Sequence, residues 1–327
     1  MSITHFEYPG TVGLAPMAGV TNKPFRTVCT LWGAQFSFTE MISAESVLRN
    51  FTIVEKMLPK NESHVAVQLF GSDPKTVARA AKVVEPYASW IDINAACPVK
   101  KVIKKNSGGA LLRDLDRLEE IIKSVKSSAE KPVTVKIRIG FDHNNLDQII
   151  QSCIKAGADG IEVHGRTVVQ QYGDKASWDL KLSQYGIPAA ISGDIYETTD
   201  IKRAIEVSGA SAVLIARGAL RKPWIFAEFF QKRTPSVEEI KDMFLKHLKM
   251  QIEEEGESSI HKMRQYIAGY THGMKGAREF RERFMKLNNS NDVKRFVQEF
   301  FNCFLMNECN NKIVEWIEDS LDRRCHR

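Results

Sequence analysis

The 327-residue chain contains no window approaching about 18 consecutive apolar residues, which excludes a hydrophobic membrane-spanning helix. Its first ten residues, MSITHFEYPG, carry neither a basic segment nor a long apolar run, so no secretory signal is expected. The six cysteines, at 29, 97, 153, 303, 309 and 325, include no CxxC pair, and no Cys/His spacing suits zinc. Reduced thiols in a cytoplasmic setting, and no bound metal, are the expectation. No GxGxxG opens a helix after the first strand, and no GxxxxGK[ST] occurs, so neither a Rossmann dinucleotide site nor a P-loop is supported. Internal repeats and low-complexity tracts are absent. With 43% hydrophobic and 26% charged residues, the composition excludes collagen-like, disordered and coiled-coil classes.

What is present is a succession of short apolar runs: Val12–Ala15, Phe36–Thr39, Val65–Leu69, Trp90–Asn94, Val133–Ile137, Gly160–His164, Ala189–Ile191 and Ala212–Ala216. Several are rich in Val and Ile, as strands buried on both faces are. Helical spacing fills the gaps: Val77, Ala80, Ala81 and Val84; Leu118, Ile121, Ile122 and Val125; Leu146, Ile149, Ile150, Cys153 and Ile154. Eight strands alternating with helices predict an α/β fold, a (β/α)8 TIM barrel, with a doubly wound open sheet as the alternative. After Trp224 the strand-like runs stop. Amphipathic stripes follow at Ile240–Ile252, Met263–Tyr270, Val293–Phe304 and Ile313–Ile317, predicting an all-α domain. The expected division is a catalytic barrel over 1–234 and a helical domain over 235–327. Tyr266 and Tyr270, four residues apart, suit a domain core better than a base-stacking surface.

In such a barrel, chemistry sits at the C-terminal ends of the strands. Polar residues gather there: Gln68; Asn94 with Cys97-Pro98 beyond; Lys136 and Arg138; His164 and Arg166; Ser192, Gly193 and Asp194; Ala216, Arg217 and Gly218. The loop after the eighth strand is a common phosphate site in barrels. The net charge of +6 is carried by residues 1–234, with 30 basic against 24 acidic side chains. Basic groups cluster at Lys100, Lys101, Lys104 and Lys105, and again at Lys262, Arg264, Lys275, Arg278, Arg281, Arg283 and Lys286. Two such patches point to a polyanionic partner. Glu40 suits either the mouth or a loop brace. Asp92 and Glu162, inside strands, are expected between barrel and helices, paired with cations. His261 and His272 are expected to be solvated.

Seven motifs, in order, resemble those of the tRNA-dihydrouridine synthase family. They are Gly13-Leu-Ala-Pro16-Met17-Ala18-Gly19, Val67-Gln68-Leu-Phe-Gly71, Ile93-Asn94-Ala-Ala-Cys97-Pro98, Val135-Lys136-Ile-Arg138-Ile-Gly140, Val163-His164-Gly165-Arg166-Thr167, Ser192-Gly193-Asp194-Ile195 and Ala216-Arg217-Gly218. The resemblance is dense over 10–225 and looser beyond. It implies an FMN-containing flavoprotein, an oxidoreductase that reduces particular tRNA uridines to dihydrouridine with NADPH. It implies that Pro16, Met17 and Ala18 line the flavin, that Gln68, Lys136 and His164 contact its ring, and that Ser192, Gly193, Asp194, Ala216 and Arg217 hold the ribityl phosphate. Cys97 would be the proton donor and Asn94 would help fix the uracil. Lys100, Lys101, Arg138, Arg166, Lys262, Arg264, Arg278 and Arg281 would meet substrate or RNA. A monomer is expected.

Three positions depart from the family pattern. Ala96 and Ala216 stand where glycine is usual, and Ser192 where asparagine is usual. These bear on flavin affinity more than on the reaction. Two other readings stay open from sequence: a flavin barrel acting on a free pyrimidine or other small enone, and an RNA-binding module without catalysis.

Overall fold

The structure, a computed structural model, describes residues 6–305. The chain divides into two compact units, Met1–Ala219 and Leu220–Arg327. The division falls before the boundary read at residue 234. The physical reason is local: Trp224 lies 6.5 Å from Tyr270, and Gly269 seats so closely on the Leu220 carbonyl that a Cβ there would stand 2.1 Å from the oxygen.

In the first unit, eight parallel strands close on themselves. They are β1 (Val12–Leu14), β2 (Phe36–Phe38), β3 (Val65–Phe70), β4 (Trp90–Asn94), β5 (Val133–Arg138), β6 (Gly160–His164), β7 (Ala189–Ser192) and β8 (Ala212–Ile215). Each pairs with the next, and Val12↔Val213 joins β1 to β8, which closes the cylinder and rules out the open sheet. A two-residue strand, Ile42–Ser43, adds to β3 beside Leu69 and Phe70 and was not expected from sequence.

Alternation along the strands decides what lies inside. Phe36, Phe38, Ala66, Trp90, Ala190, Ala212 and Leu214 form one cluster with Tyr8 and Ala15. Tyr8 stacks on Phe36 at 5.4 Å, and Phe38 meets Trp90 edge-on at 5.6 Å. These residues come mainly from the N-terminal halves of their strands, so the barrel has an aromatic base. The intervening residues, among them Val67, Ile91, Val135, Ile161 and Val213, are also fully buried, so both strand faces are dry. The covering helices start on recognisable caps. Asp73 accepts the Thr76 amide before the helix Pro74–Val84, Asp114 accepts the Arg117 amide before Leu115–Ser128, and Glu197 and Asp200 form a capping box at Thr198–Ser208. Between β6 and β7 no long helix forms. A loop carrying left-handed Gln171, Asp174 and Lys181 leads to a single short turn, Leu182–Tyr185.

Among its described residues the second unit has helices as its only regular elements. Ile240, Phe244 and Leu248 of the helix Val237–Glu255 are buried, as are Val293, Val297, Phe300 and Phe301 of Ser290–Leu305. Tyr266 and Tyr270 are wholly buried, against His247 and Phe244, and so belong to this core. The Met263–Tyr270 stripe is a 3-10 stretch followed by a short turn rather than one regular helix. The stripe Ile313–Ile317 lies outside the described residues. Among the described residues no helix is long and apolar enough to cross a membrane.

Trp90 is the largest member of the base and is 1% exposed. Trp90→Ala is expected to lower the unfolding free energy by about 3–5 kcal/mol in urea titrations; a loss within experimental scatter would remove the aromatic base as a main support.

Candidate active site

Above the aromatic base the inward-facing series turns polar: Gln68, Asp92, Asn94, Thr134, Lys136, Arg138, Glu162 and Ser192 are all buried. Buried polar groups need partners, and here they bond chiefly to one another. Gln68 Nε2 donates to Asp92 Oδ2 at 2.6 Å, and Asn94 Nδ2 donates to Gln68 Oε1 at 2.8 Å. Asn94 Oδ1 then accepts the amides of Ala96 (3.1 Å) and Cys97 (2.9 Å). One side chain at the end of β4 thereby fixes the following turn. The Gly109 amide donates to the Cys97 carbonyl at 3.0 Å, and Arg138 Nε to the Ala96 carbonyl at 2.9 Å, holding the turn from two further sides.

Cys97 is half-buried at this mouth. Burial pushes its thiol above the ordinary value; the Val99 amide and the charges of Arg138 and Lys136 pull the other way without overcoming it. The thiol is therefore protonated at neutral pH. The cations that act on it are Arg138 and Lys136, while Lys100, Lys101, Lys104 and Lys105 are exposed.

Lys136 is 7% exposed, with Nζ 3.5 Å from Ser192 Oγ; Ser192 in turn donates to the Val163 carbonyl at 3.2 Å. Burial pulls the ammonium down to about 8, opposed by Glu162 and Asp92. His164 is held well below its ordinary value, first by burial and then by Arg138, Lys136, Arg166 and Arg217, so it is a neutral imidazole. Its Nδ1 is buried and has no partner in the protein.

Asp194, in the left-handed region at φ +52°, ties the loops after β6, β7 and β8. Its Oδ2 accepts from Arg166 Nη2 (2.5 Å) and the Ala176 amide (2.9 Å), and its Oδ1 from Arg217 Nη2 (3.0 Å). Partial burial raises this carboxyl, but the two arginines and the Ala176 amide hold it below its ordinary value. Gly193 beside it has φ +113°, and a Cβ there would meet Ala176 Cβ at 2.7 Å. On β1's side of the mouth Pro16 and Met17 are half-buried and Ala18 is exposed. The Gly19 amide donates to the Glu40 carboxylate, so Glu40 is a loop brace.

Several expected roles change. Arg138 and Arg166 are 2% and 1% exposed, so neither offers a surface to an RNA backbone. Arg138 Nη1 donates to the Thr167 and Gln171 carbonyls, both at 2.8 Å, and Arg166 to those of Gly173 and Asp174. Asn94 is committed to the Cys97 turn and acts through it. Asp92 and Glu162 face the barrel interior rather than the helices: Thr134 Oγ1 donates to Asp92, and the Tyr8 hydroxyl to Glu162. In the helical unit Arg264 and Arg281 are half-buried and bond to Asn288 and Thr271; Lys262 pairs with Glu255, and exposed Arg278 with Glu282. Among the described residues no cluster of His, Cys, Asp and Glu could hold a metal ion.

Sequence reasoning missed Tyr172. It is 57% exposed, with Arg217 5.2 Å and Arg138 5.8 Å from its ring centroid. The signal was an aromatic residue in a glycine-bearing loop directly after the His164-Gly-Arg166 strand end. Trp178 was missed too; its Nε1 donates to the Gly193 carbonyl at 2.9 Å.

Comparison with known proteins now bears on this mouth. The family model described as dihydrouridine synthase matches residues 13–305. A probable tRNA-dihydrouridine synthase of Treponema pallidum is 32% identical over 93% of this chain and 96% of that protein. The tRNA-dihydrouridine synthase B of Pasteurella multocida is 33% identical over 95% of this chain and 98% of that protein. Among solved structures, histamine dehydrogenase from Rhizobium sp. 4-9 superposes with a TM-score of 0.52 at 11% identity, over 73% of this chain and 48% of that one, a likeness of fold. The chain belongs to the dihydrouridine synthase family and is an enzyme of that family.

The thiol's protonation state is directly testable. Cys97 alkylation, corrected with Cys97→Ala, is expected to accelerate only above the ordinary thiol range of about 8.5. Lys136→Met, which removes a stabilising cation, should move the profile to still higher pH; a shift to lower pH would contradict the electrostatics described.

Proposed function

We propose that the protein is a cytoplasmic, monomeric FMN-dependent oxidoreductase that reduces selected uridines of tRNA to 5,6-dihydrouridine, with NADPH as reductant. The observation that carries this reading is the half-buried Cys97 thiol, in a turn that Asn94 and Arg138 hold at the strand ends of a barrel whose chain matches the dihydrouridine synthase family from residue 13 to 305.

The residues at the mouth fit a polar cofactor. His164 Nδ1 and Arg166 Nη1 are buried without protein partners, which is hydrogen-bonding capacity a ligand can satisfy. Pro16, Met17, Ala18, Gln68, Lys136 and His164 would hold the ring of FMN, and Ser192, Gly193, Asp194, Ala216 and Arg217 its ribityl phosphate end. When bound, that group would be the source of the hydride that uracil C6 receives.

The chain's own groups do the rest. The C5=C6 bond of uracil is conjugated with the C4 carbonyl, so hydride arrival at C6 leaves an electron pair that needs a proton at C5. Cys97 Sγ gives that proton, and the thiolate left behind is countered by Lys136 and Arg138. Asn94 keeps the Cys97 turn in place through its two amide hydrogen bonds. Neutral His164 can donate or accept a hydrogen bond without adding charge. The target base must leave its stack to reach the mouth, at a cost of a few kcal/mol. Exposed Lys100, Lys101, Lys104 and Lys105 offset that cost by neutralising phosphates.

The purified protein is expected to be yellow, to be reduced by NADPH and to form dihydrouridine in unmodified tRNA. Cys97→Ala should keep flavin reduction by NADPH but slow product formation by roughly 10²–10⁴-fold, the usual scale for loss of a general acid. Product at the wild-type rate would end the proton-donor assignment. Replacing Lys100 and Lys101 by Ala should weaken tRNA binding and flatten its log–log salt dependence by roughly 0.9 for each phosphate left without its cation; an unchanged slope would take these two lysines out of the RNA interface.

A further inference from the structure

Two acidic side chains in the barrel interior take no part in the reaction described above. Asp92 and Glu162 are fully buried. Asp92 accepts from Gln68 Nε2 at 2.6 Å and from Thr134 Oγ1 at 2.8 Å. Glu162 Oε1 accepts from the Tyr8 hydroxyl at 2.8 Å, whereas Oε2 has no hydrogen-bond partner of normal geometry. Thr134 links them along β5: it sits opposite Asp92 on β4, and Lys136, two residues further on, sits opposite Glu162 on β6. Two ionised carboxylates in one dry compartment repel each other strongly, and a proton held between the neighbouring Asp92 and Glu162 side chains removes that repulsion.

We propose that Asp92 and Glu162 work as one acid pair that holds a single proton, and that the pair's remaining negative charge is the counter-ion keeping Lys136 an ammonium at the barrel mouth. They are positioning residues, acting through Lys136. The functional consequence rests on the reading of Lys136 as a flavin-contacting cation; the titration itself does not.

The groups facing this triad come from every element around it. Thr134 and Arg138 share β5 with Lys136; Gln68 comes from β3, Asn94 from β4, His164 from β6 and Ser192 from β7; Cys97 lies in the turn after β4, Tyr8 closes the pair from the base, and Cys153 lies on the helix behind Glu162. Burial and mutual repulsion push Asp92 well up, and burial raises Glu162 as well. Charge then balances: two carboxyls with one proton carry one negative charge, which matches one ammonium. Burial lowers Lys136 to about 8, and Glu162 and Asp92 keep it from falling further.

This arrangement has an unusual signature. Removing either acid leaves the other free to ionise, so the counter-charge survives a single substitution and disappears only when both are replaced. The test uses the full-length protein as purified. Infrared spectra at neutral pH read un-ionised carboxyl groups, and 13C NMR of ε-labelled lysine, assigned with Lys136→Arg, reads the ammonium. Wild type should show a protonated carboxyl band that is lost in Asp92→Asn and in Glu162→Gln. The Lys136 midpoint should stay within about half a pH unit in either single variant and drop by at least one unit in the double variant. Absence of the band in wild type, or a comparable drop of the Lys136 midpoint in each single variant, would overturn the shared proton. A double variant with an unmoved midpoint would overturn the counter-ion role. Should the double variant not fold, the single variants decide the shared proton by themselves. FMN affinity of Lys136→Met separates the two readings: an unchanged affinity takes Lys136 out of the flavin pocket, while the acid pair still stands or falls on the two spectra.

Discussion

Closing eight parallel strands into a cylinder forces every second side chain into a compartment without bulk water, and there each polar atom must find a partner. That constraint organises the mouth. Asp92 receives Gln68, Gln68 receives Asn94, and Asn94 receives the Ala96 and Cys97 amides, so a chain of hydrogen bonds runs from the middle of the barrel to the turn that carries the thiol. The two inner links, at 2.6 and 2.8 Å, are short and buried, where hydrogen bonds are strong and an unmade one is costly. The position of Cys97 is thus set from the barrel wall, with the Gly109 amide holding its carbonyl from the loop side.

The same dry compartment sets the charge states. Burial dominates at Cys97, Lys136 and His164, and in each case it favours the neutral form. The outcomes differ because the surrounding charges differ. Cys97 remains a thiol despite two cations. Lys136 keeps its proton at neutral pH because acids lie beneath it. His164, surrounded by cations alone, loses its proton. At the far side of the mouth, Asp194 faces two arginines and stays ionised, which binds three loops together.

The barrel was legible because its strands are buried on both faces and several read as continuous Val/Ile runs, and because helical spacing such as Val77–Val84 and Leu118–Val125 fills the gaps between them. The site was legible as polar residues at strand ends. What sequence could not give has physical causes. In a strand with two apolar faces, period-2 alternation does not say which face is the interior, so Asp92 and Glu162 were placed on the wrong side. Arginine is usually exposed, yet Arg138 and Arg166 are turned inward to hold loop carbonyls, a role visible only once the loops are in place. Ile42–Ser43 is too short to stand out, and the boundary near Ala219 is blurred because apolar residues continue across it into helix. Tyr172 lies in a loop with no periodicity to flag it.

The central claim is that this mouth reduces uridines in tRNA through the Cys97 thiol. Mass spectrometry of tRNA fragments from cells lacking the gene, and from the same cells supplied with either wild-type or Cys97→Ala protein, tests it most directly. The account predicts uridines lighter by two hydrogens in the deletion, returned to the dihydro form by wild type and not by Cys97→Ala. Fragments unchanged by the deletion, or full restoration by Cys97→Ala, would contradict it.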